Sequence, residues 1–408
     1  MSNNILFFFP HNPFPARSGA HRRCLEMLMG LRELGYKVVL LSSEFSTDNP
    51  WEYASIQSLK TNLVTEVYVH KPTILDLRMA GISARYYRYV KKSAPPLRSW
   101  FYVPIGMRRW FSRLAHDLAP DTVFMSYAYW DALLAPQTLG SSRRIIENYD
   151  LVTLNRQMQS GLRRYLTIPP FGVVDERILA EDFFEKQKLS VEPEEFDIYD
   201  SYDVTVTISL ADTEIIKQNT TRTRVLFVPM SVETTNVPNS YDGSAIYAIG
   251  PNLLNVQGYL YFIKKVLPLV TPKISAFRLQ VTGIWSDQLP FEEYVVQSGF
   301  LPDLRSVYAT SRFAICPLLG GTGQQIKIVE AMAHGLPVIA MRAVAKNGPI
   351  EHGINGLIAE NAEEFADHVI HLWNDRERCQ RLGTAARDTI ASKHSKARLL
   401  ESLQVVMQ

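Results

Sequence analysis

The sequence predicts an α/β chain built on parallel strands and divided into more than one domain. Three observations carry this. Phe313–Leu318 is a short apolar run, followed by Gly320-Gly321-Thr322-Gly323, a helical pattern, and a second apolar run from Val338. Continuous apolar runs of this length fit strands buried on both faces. The N-terminus repeats the arrangement, with Ile5–Phe9, a loop holding three prolines, a helical pattern at Leu25, Leu28, Met29, Leu31 and Leu34, and Tyr36–Leu41. After a polar stretch at Val232–Gly243, Ala245–Ile249 again leads into a glycine, Gly250.

Length and composition bound the class. At 408 residues the chain is long enough for two or three domains, and 46% hydrophobic with 21% charged residues describes a globular protein with a large core. A net charge of +2 expresses no general preference for nucleic acid. Cys24, Cys316 and Cys379 lack metal-ligand spacing and fit a reducing cytoplasm. No apolar run approaches the roughly twenty residues that cross a bilayer, and the residues around Ile5–Phe9 do not read as a signal peptide.

In chain order, Ile5–Phe9 is the first strand, and the loop Pro10–Ala20 leaves its C-terminal edge, where open α/β sheets bind ligands. His11 and His21 are candidates there, each more often simply solvated in such a loop. Residues 78–113 hold nine Lys or Arg and no Asp or Glu, with interleaved aromatics. On a helical wheel Arg78, Arg85, Arg88 and Lys92 share one arc, and Met79, Ile82, Tyr86, Tyr89 and Val90 another. Such a helix suits an anionic membrane surface or a lipid-phosphate acceptor. Equally, it is a solvated basic face whose apolar side covers the domain core. The rest of the chain does not support nucleic acid as a partner.

Asp121–Tyr127 and Arg144–Asp150 are further strands. Asp150 is either a functional carboxylate or the N-cap of the next helix. Residues from about Arg163 to Glu195 read as a mobile insertion or a helix-rich lid. Tyr202–Ser209 and Arg224–Pro229 complete the first set of strands, and Val232–Gly243 is the linker. Phe277–Gly283 is a strand and loop, Phe365–Leu382 an amphipathic helix, and Ala391–Gln408 a final one.

The densest signal is Gly320–Ile339. Its glycines leave backbone N–H groups uncovered, and the helix from near Gln325 aims its N-terminus at them. Lys327 adds a charge in the first turn, and Glu330 lies one turn on. Gly335 and Pro337 end the helix before Val338-Ile339-Ala340-Met341.

This block resembles the donor-binding signature of GT-B glycosyltransferases, specifically the retaining glycosyl transferases group 1, family 4-like. That signature is Glu, seven residues, Glu, then Ala-Met-Ala-x-Gly-x-Pro-Val. Glu330 falls on the second Glu, which holds the nucleotide ribose in the family. Thr322 falls on the first, which contacts the donor sugar; Thr322 can hydrogen-bond but is no carboxylate.

The resemblance implies two Rossmann-like domains with parallel sheets facing each other across a cleft. The implied boundaries are 1–232 on the acceptor side and 243–390 on the donor side, with a helix at about 391–408 packing back onto the first. The implied activity is transfer of a sugar from a nucleotide-sugar, with retention, to a cell-surface, lipid-linked or protein-linked saccharide. The implied donor site comprises Gly19, Arg17, Gly250, Gln257, Phe300, Leu301, Gly321, Thr322, Gly323, Gln324, Gln325, Ile326, Lys327 and Glu330. Arg22 or Arg23 are nearby cations. Asp150 and Thr322 are the candidate catalytic residues.

After Gly250 the family often carries an Arg and a Lys that grip the diphosphate. Here Asn252 and Gln257 occupy that region, so Lys327 and the N-terminal arginines carry more of the phosphate charge. No Asp-x-Asp run calls for a metal, and no cofactor is expected beyond the nucleotide-sugar. The expected location is cytoplasmic, peripheral on the inner face of the membrane, in polysaccharide biosynthesis. A GT-B phosphorylase or epimerase is a weaker reading, since no lysine suited to pyridoxal is evident. The alternative outside catalysis is a GT-B subunit that binds a sugar nucleotide or supports a partner transferase.

Overall fold

The computed structural model describes residues 4–45, 49–134, 140–167, 169, 171–235 and 237–408. The chain forms two compact units. The first comprises residues 1–152, 191–230 and 399–408, and the second residues 153–190 and 231–398. The strands are β1 (Asn4–Phe8), β2 (Lys37–Ser43), β3 (Glu66–His70), β4 (Thr122–Ser126), β5 (Arg143–Asn148), β6 (Leu166–Thr167), β7 (Gly172–Val173), β8 (Val204–Thr207) and β9 (Arg224–Phe227). They continue with β10 (Ala245–Ala248), β11 (Leu279–Thr282), β12 (Val295–Gln297), β13 (Ala314–Cys316), β14 (Val338–Met341) and β15 (Gly356–Ala359).

The first unit holds a seven-stranded parallel sheet ordered β3-β2-β1-β4-β5-β8-β9. Strands β4 and β14 are buried along their whole length, as expected of parallel strands covered on both faces. Phe7 stacks on Phe124 at 4.8 Å across β1 and β4. Helix Gly19–Glu33 lays Met27, Leu28 and Leu31 into this core, where Leu399, Leu403 and Val406 from the chain's last residues also sit.

The second unit holds a six-stranded sheet ordered β12-β11-β10-β13-β14-β15. All its pairings are parallel. This is the 3-2-1-4-5-6 order of a Rossmann sheet, whose strand order reverses between β10 and β13.

Four features depart from the sequence expectation. Residues 153–190 group with the second unit, whereas the expected boundary places them in the first. Their apolar side chains decide it, because Leu162, Ile178, Leu179, Phe183 and Phe184 are buried in the second unit's core. The segment is therefore packed rather than a free insertion. Tyr261 Oη donates to Glu181 at 2.6 Å, and Lys264 Nζ to Glu176 at 3.0 Å. The expected helix Phe365–Leu382 is two helices, Ala362–Asn374 and Arg376–Lys393. Asp375 divides them by accepting from the Arg378 amide at 2.7 Å as the N-cap of the second.

The basic stretch forms helix Ile74–Arg85, a π-helical turn Tyr86–Lys91 and helix Ile105–Leu118. Its apolar arc does not cover the domain core: Ile82, Tyr86, Tyr89 and Val90 are exposed, Tyr89 and Val90 by about two thirds. Among the described residues no helix is long and apolar enough to cross a membrane.

Candidate active site

In the second unit the loops leaving β10, β11, β12 and β13 form one rim at the carboxyl edge of the sheet. Gly299 O accepts from the Gly283 amide and from Thr282 Oγ1, both at 2.8 Å. Gly283 has φ of +129°, and a Cβ there would lie 2.1 Å from the Ile249 carbonyl, so only glycine lets the β10 and β11 loops meet. Next to them Phe300 is half exposed and Leu301 partly buried.

From Gly250 the rim passes to β13. Asn252 Oδ1 caps helix Leu253–Tyr261 by accepting from the Asn255 amide at 3.0 Å. Asn255 Nδ2 donates to Gly250 O at 3.2 Å, and Asn255 Oδ1 accepts from Lys327 Nζ. Asn255 therefore ties the β10 loop to the cation of the β13 loop, a role with no sequence signal beyond the Asn-x-x-Asn cap.

Gly321 and Gly323 adopt φ of +154° and +68°. The Gly321 carbonyl is held by Asn347 Nδ2 at 3.1 Å. Helix Ile326–Ala333 begins at Gln325 with no side-chain cap, which leaves its N-terminal dipole uncovered by the chain's own cap residue. Buried beside it, Thr322 Oγ1 and Gln324 Oε1 have no partner among the described residues. Buried polar atoms are ordinarily paired, so these two atoms leave the loop with hydrogen-bonding capacity to spare. Glu330 lies on the same helix, partly buried.

Lys327 lies over the Tyr247 ring, 5.0 Å from its centroid, and near the buried Cys316. Its side chain remains partly accessible, yet burial of the ammonium pushes its pKa down to about 8, against a smaller upward pull from Cys316. Burial pushes the Cys316 thiol up to about 11.

Gln257 is a correction. It is fully buried, and its Nε2 donates to the Ile178 carbonyl at 2.7 Å. It anchors the 153–190 segment and does not face the rim. At Gly320 a Cβ would lie 2.5 Å from the Phe184 ring, so that segment also closes on the start of the glycine loop.

In the first unit, Gly19 opens helix Gly19–Glu33, capped by Ser18 Oγ, which accepts from the His21 amide at 3.3 Å. Arg17 is exposed, and its amide donates to His21 Nδ1 at 3.2 Å. Arg23 is a second correction, because it is completely buried. Its Nε donates to Glu147 at 2.7 Å, and its terminal nitrogens donate to the carbonyls of Pro229 and Val228 at 2.9 and 3.0 Å. It is spent inside the unit, while Arg22 is exposed.

At the carboxyl ends of β1, β4 and β5 the His11 and His21 rings lie 6.0 Å apart, and Tyr127 stacks on Tyr149 at 4.3 Å. Asp150 follows, partly buried. The Val152 amide that opens the next helix is taken by Glu195 Oε1 at 2.8 Å. The Asn148 side-chain amide, buried at the end of β5, has no partner among the described residues, and no sequence signal marks it.

Residues 244–375 match the family model described as Glycosyl transferases group 1. That match lies within the second unit and covers about a third of the chain. The matched residues include the Lys327 loop, the β10 loop and the β12 loop described above. A relative from Klebsiella pneumoniae, an uncharacterized 44.6 kDa protein in the cps region, is 23% identical over 129 residues. That match spans 29% of this chain and 33% of the relative.

Solved structures align along the whole length. TarM from S. aureus is 12% identical, with a TM-score of 0.68, over 100% of this chain and 99% of that one. A TarM variant bound to fondaparinux, alpha-GlcNAc-glycerol and UDP gives 0.67 at 11% identity, with both chains fully covered. HepE from Anabaena in complex with UDP-glucose gives 0.60 at 13%, over 99% of each chain. At such identity these likenesses show the fold, which is GT-B.

Proposed function

We propose that the chain transfers a sugar from a UDP-sugar to a saccharide acceptor with retention at the anomeric carbon. The observation that carries this is Lys327, a partly buried cation at an uncapped helix N-terminus beside two left-handed glycines. UDP is the nucleotide proposed, a reading supported by the UDP or UDP-glucose bound in the similar proteins TarM and HepE. In the step proposed, the bond between the anomeric carbon and the diphosphate oxygen breaks as the acceptor oxygen bonds to that carbon on the same face. The acceptor proton passes to a phosphate oxygen of the leaving UDP or to Asp150. Charge growing on the diphosphate is met by Lys327, the loop amides from Thr322 to Gln325 and the helix dipole. Thr322 Oγ1 donates to the donor, and Glu330 accepts from the ribose hydroxyls. Phe300 and Leu301 border the base.

The test is UDP release from a panel of UDP-sugars by the purified chain. Release with at least one sugar is expected, and no UDP binding at all would sink the proposal. A second reading, a non-catalytic GT-B subunit, is favoured by Thr322 standing where the signature has its first Glu. It expects UDP binding without release under any acceptor tried.

In the same proposal the transferase works from the cytoplasm at the inner membrane face. The exposed apolar arc of residues 82–90 lies among Arg85, Arg88, Lys91 and Lys92, all exposed. Basic residues near an anionic surface contribute about 1 kcal/mol each. The chain is expected to sediment with phosphatidylglycerol vesicles and not with phosphatidylcholine alone. Substituting Ile82, Tyr89 and Val90 together by Glu is expected to cut that binding at least tenfold without unfolding, since all three side chains are exposed. Equal sedimentation of variant and wild type would remove the membrane from the proposal.

A further inference from the structure

Between β5 and β8 the chain leaves the first unit's sheet, and residues 153–190 join the second unit. Within that stretch, residues 171–184 meet three elements of the second unit's rim. The Phe171 amide donates to the Gln288 carbonyl at 3.1 Å, and its ring lies 5.1 Å from that of Trp285. Both partners follow β11. The Ile178 carbonyl accepts from Gln257 Nε2 at 2.7 Å. Gln257 belongs to helix Leu253–Tyr261, whose first turn carries the Asn255 that holds Lys327. Phe184 packs its ring on Gly320, where the glycine loop begins.

The Phe184 contact is made to backbone. A Cβ at Gly320 would lie 2.5 Å from Phe184 Cδ2 and 2.7 Å from Cε2, so the ring lies directly against the chain there. Phe184 is buried, with Phe183 edge-on to it at 5.1 Å and Tyr165 edge-on to Phe183 at 5.7 Å. The segment has little regular structure of its own. Its turns Glu176–Leu179 and Phe183–Lys186 are four residues each, and β6 pairs with β7 over two residues. Pieces with so few internal hydrogen bonds open as local units, and docking on neighbours is what keeps them closed. Phe171, Ile178 and Phe184 bring no charge to a diphosphate, so their effect on donor binding runs through the loops they touch.

We infer that residues 171–184 position the donor rim, with Phe184 the positioning residue of the glycine loop, so that closure of this segment and donor binding strengthen each other. The inference rests on the proposal that this rim seats UDP. Gly320 immediately precedes the left-handed turn at Gly321 and Gly323, so lifting the ring frees the loop that presents Thr322 to Lys327. Linkage makes the effect reciprocal: the factor by which the closed segment tightens UDP binding is the factor by which UDP holds the segment closed.

The wild-type chain supplies the first test, amide hydrogen exchange over residues 171–187 with and without saturating UDP. UDP is expected to slow these amides at least about fivefold, while helix Ala362–Asn374 of the same unit exchanges as before. Equal rates in the segment with and without UDP would overturn the inference, because the segment then opens without disturbing the site. Equal slowing of the segment and of that helix would also overturn it, since UDP then suppresses only unfolding of the whole unit.

The second test pairs two substitutions. Gly320→Ala drives a methyl into the Phe184 ring, and Phe184→Leu removes the ring; each is expected to weaken UDP binding at least about fivefold. Combined, the shorter side chain makes room for the added methyl, and the double variant is expected to bind UDP more tightly than Gly320→Ala alone. A double variant no tighter than Gly320→Ala would overturn the inference, as would unchanged UDP affinity in Phe184→Leu. A wild type that binds no UDP would strike the sugar-transfer proposal instead. The positioning of the loop would then be decided by whether Phe184→Leu speeds exchange of the amides of residues 320–326, with unchanged rates overturning it.

Discussion

Replacing Lys327 with alanine is expected to weaken UDP binding roughly 30- to 150-fold. A hydrogen bond to a charged group contributes about 2–3 kcal/mol once desolvated, and the β10 loop offers no second cation near it. The pH dependence gives the sharper test. Lys327 has its pKa pushed down to about 8 in the unliganded chain, chiefly by burial. A diphosphate beside it favours the charged form and raises that value. Below about pH 8 the ammonium is already charged, so affinity is flat. Above it, binding must bring a proton with it, so affinity falls by up to about tenfold per pH unit until the raised, ligand-bound value is passed. Lys327→Arg stays charged throughout and is expected to bind with no such fall. Calorimetric titration with UDP from pH 7 to 10 measures both. An alanine variant with wild-type affinity would remove the cation from the donor site.

Replacing Arg23 with alanine is expected to unfold the first unit early. Arg23 holds Glu147 and two carbonyls, and neither Arg23 nor Glu147 is exposed to solvent. Removing one partner of a buried pair costs about 3–5 kcal/mol, because the other charge is left in the core. For a unit of this size that lowers its melting midpoint on the order of 10 °C. Arg23→Met combined with Glu147→Gln is expected to recover most of the loss, since no charge is then stranded. UDP affinity at low temperature is expected to stay as in the wild type, because this pair holds the first unit together and does not touch the glycine loop. A stable Arg23→Ala chain with weakened UDP binding would return Arg23 to the donor phosphates.

What could be read from the sequence followed from local rules. Phe313–Leu318 and Val338–Met341 are continuous apolar runs, and only strands covered on both faces need them. Gly321 and Gly323 sit where the backbone goes left-handed, and the helix after them begins where its apolar period begins. Those features place the candidate donor loop without any partner from far away.

The remainder depended on distant partners. Arg23 reads as a loop cation until Glu147, 124 residues on, is seen beneath it. Gln257 reads as a phosphate donor until Ile178 takes its amide. Nothing local in Phe183-Phe184 says which of two cores will bury them. The helical wheel of residues 82–90 defines an apolar arc but not its direction, because periodicity is the same whether the arc faces core or solvent. Asp375 breaks an amphipathic pattern that runs on both sides of it, and only its capping bond shows the break.

The last ten residues have a consequence for how the chain is made. Leu399, Leu403 and Val406 close the core over helix Gly19–Glu33, and Leu403 passes so near Gly30 that a Cβ there would lie 2.5 Å from its methyl. A ribosome reading from the N-terminus therefore translates residues 231–398 of the second unit before the opening sheet receives this covering. Throughout that interval the nascent first unit leaves the apolar side chains beneath Leu399, Leu403 and Val406 bare.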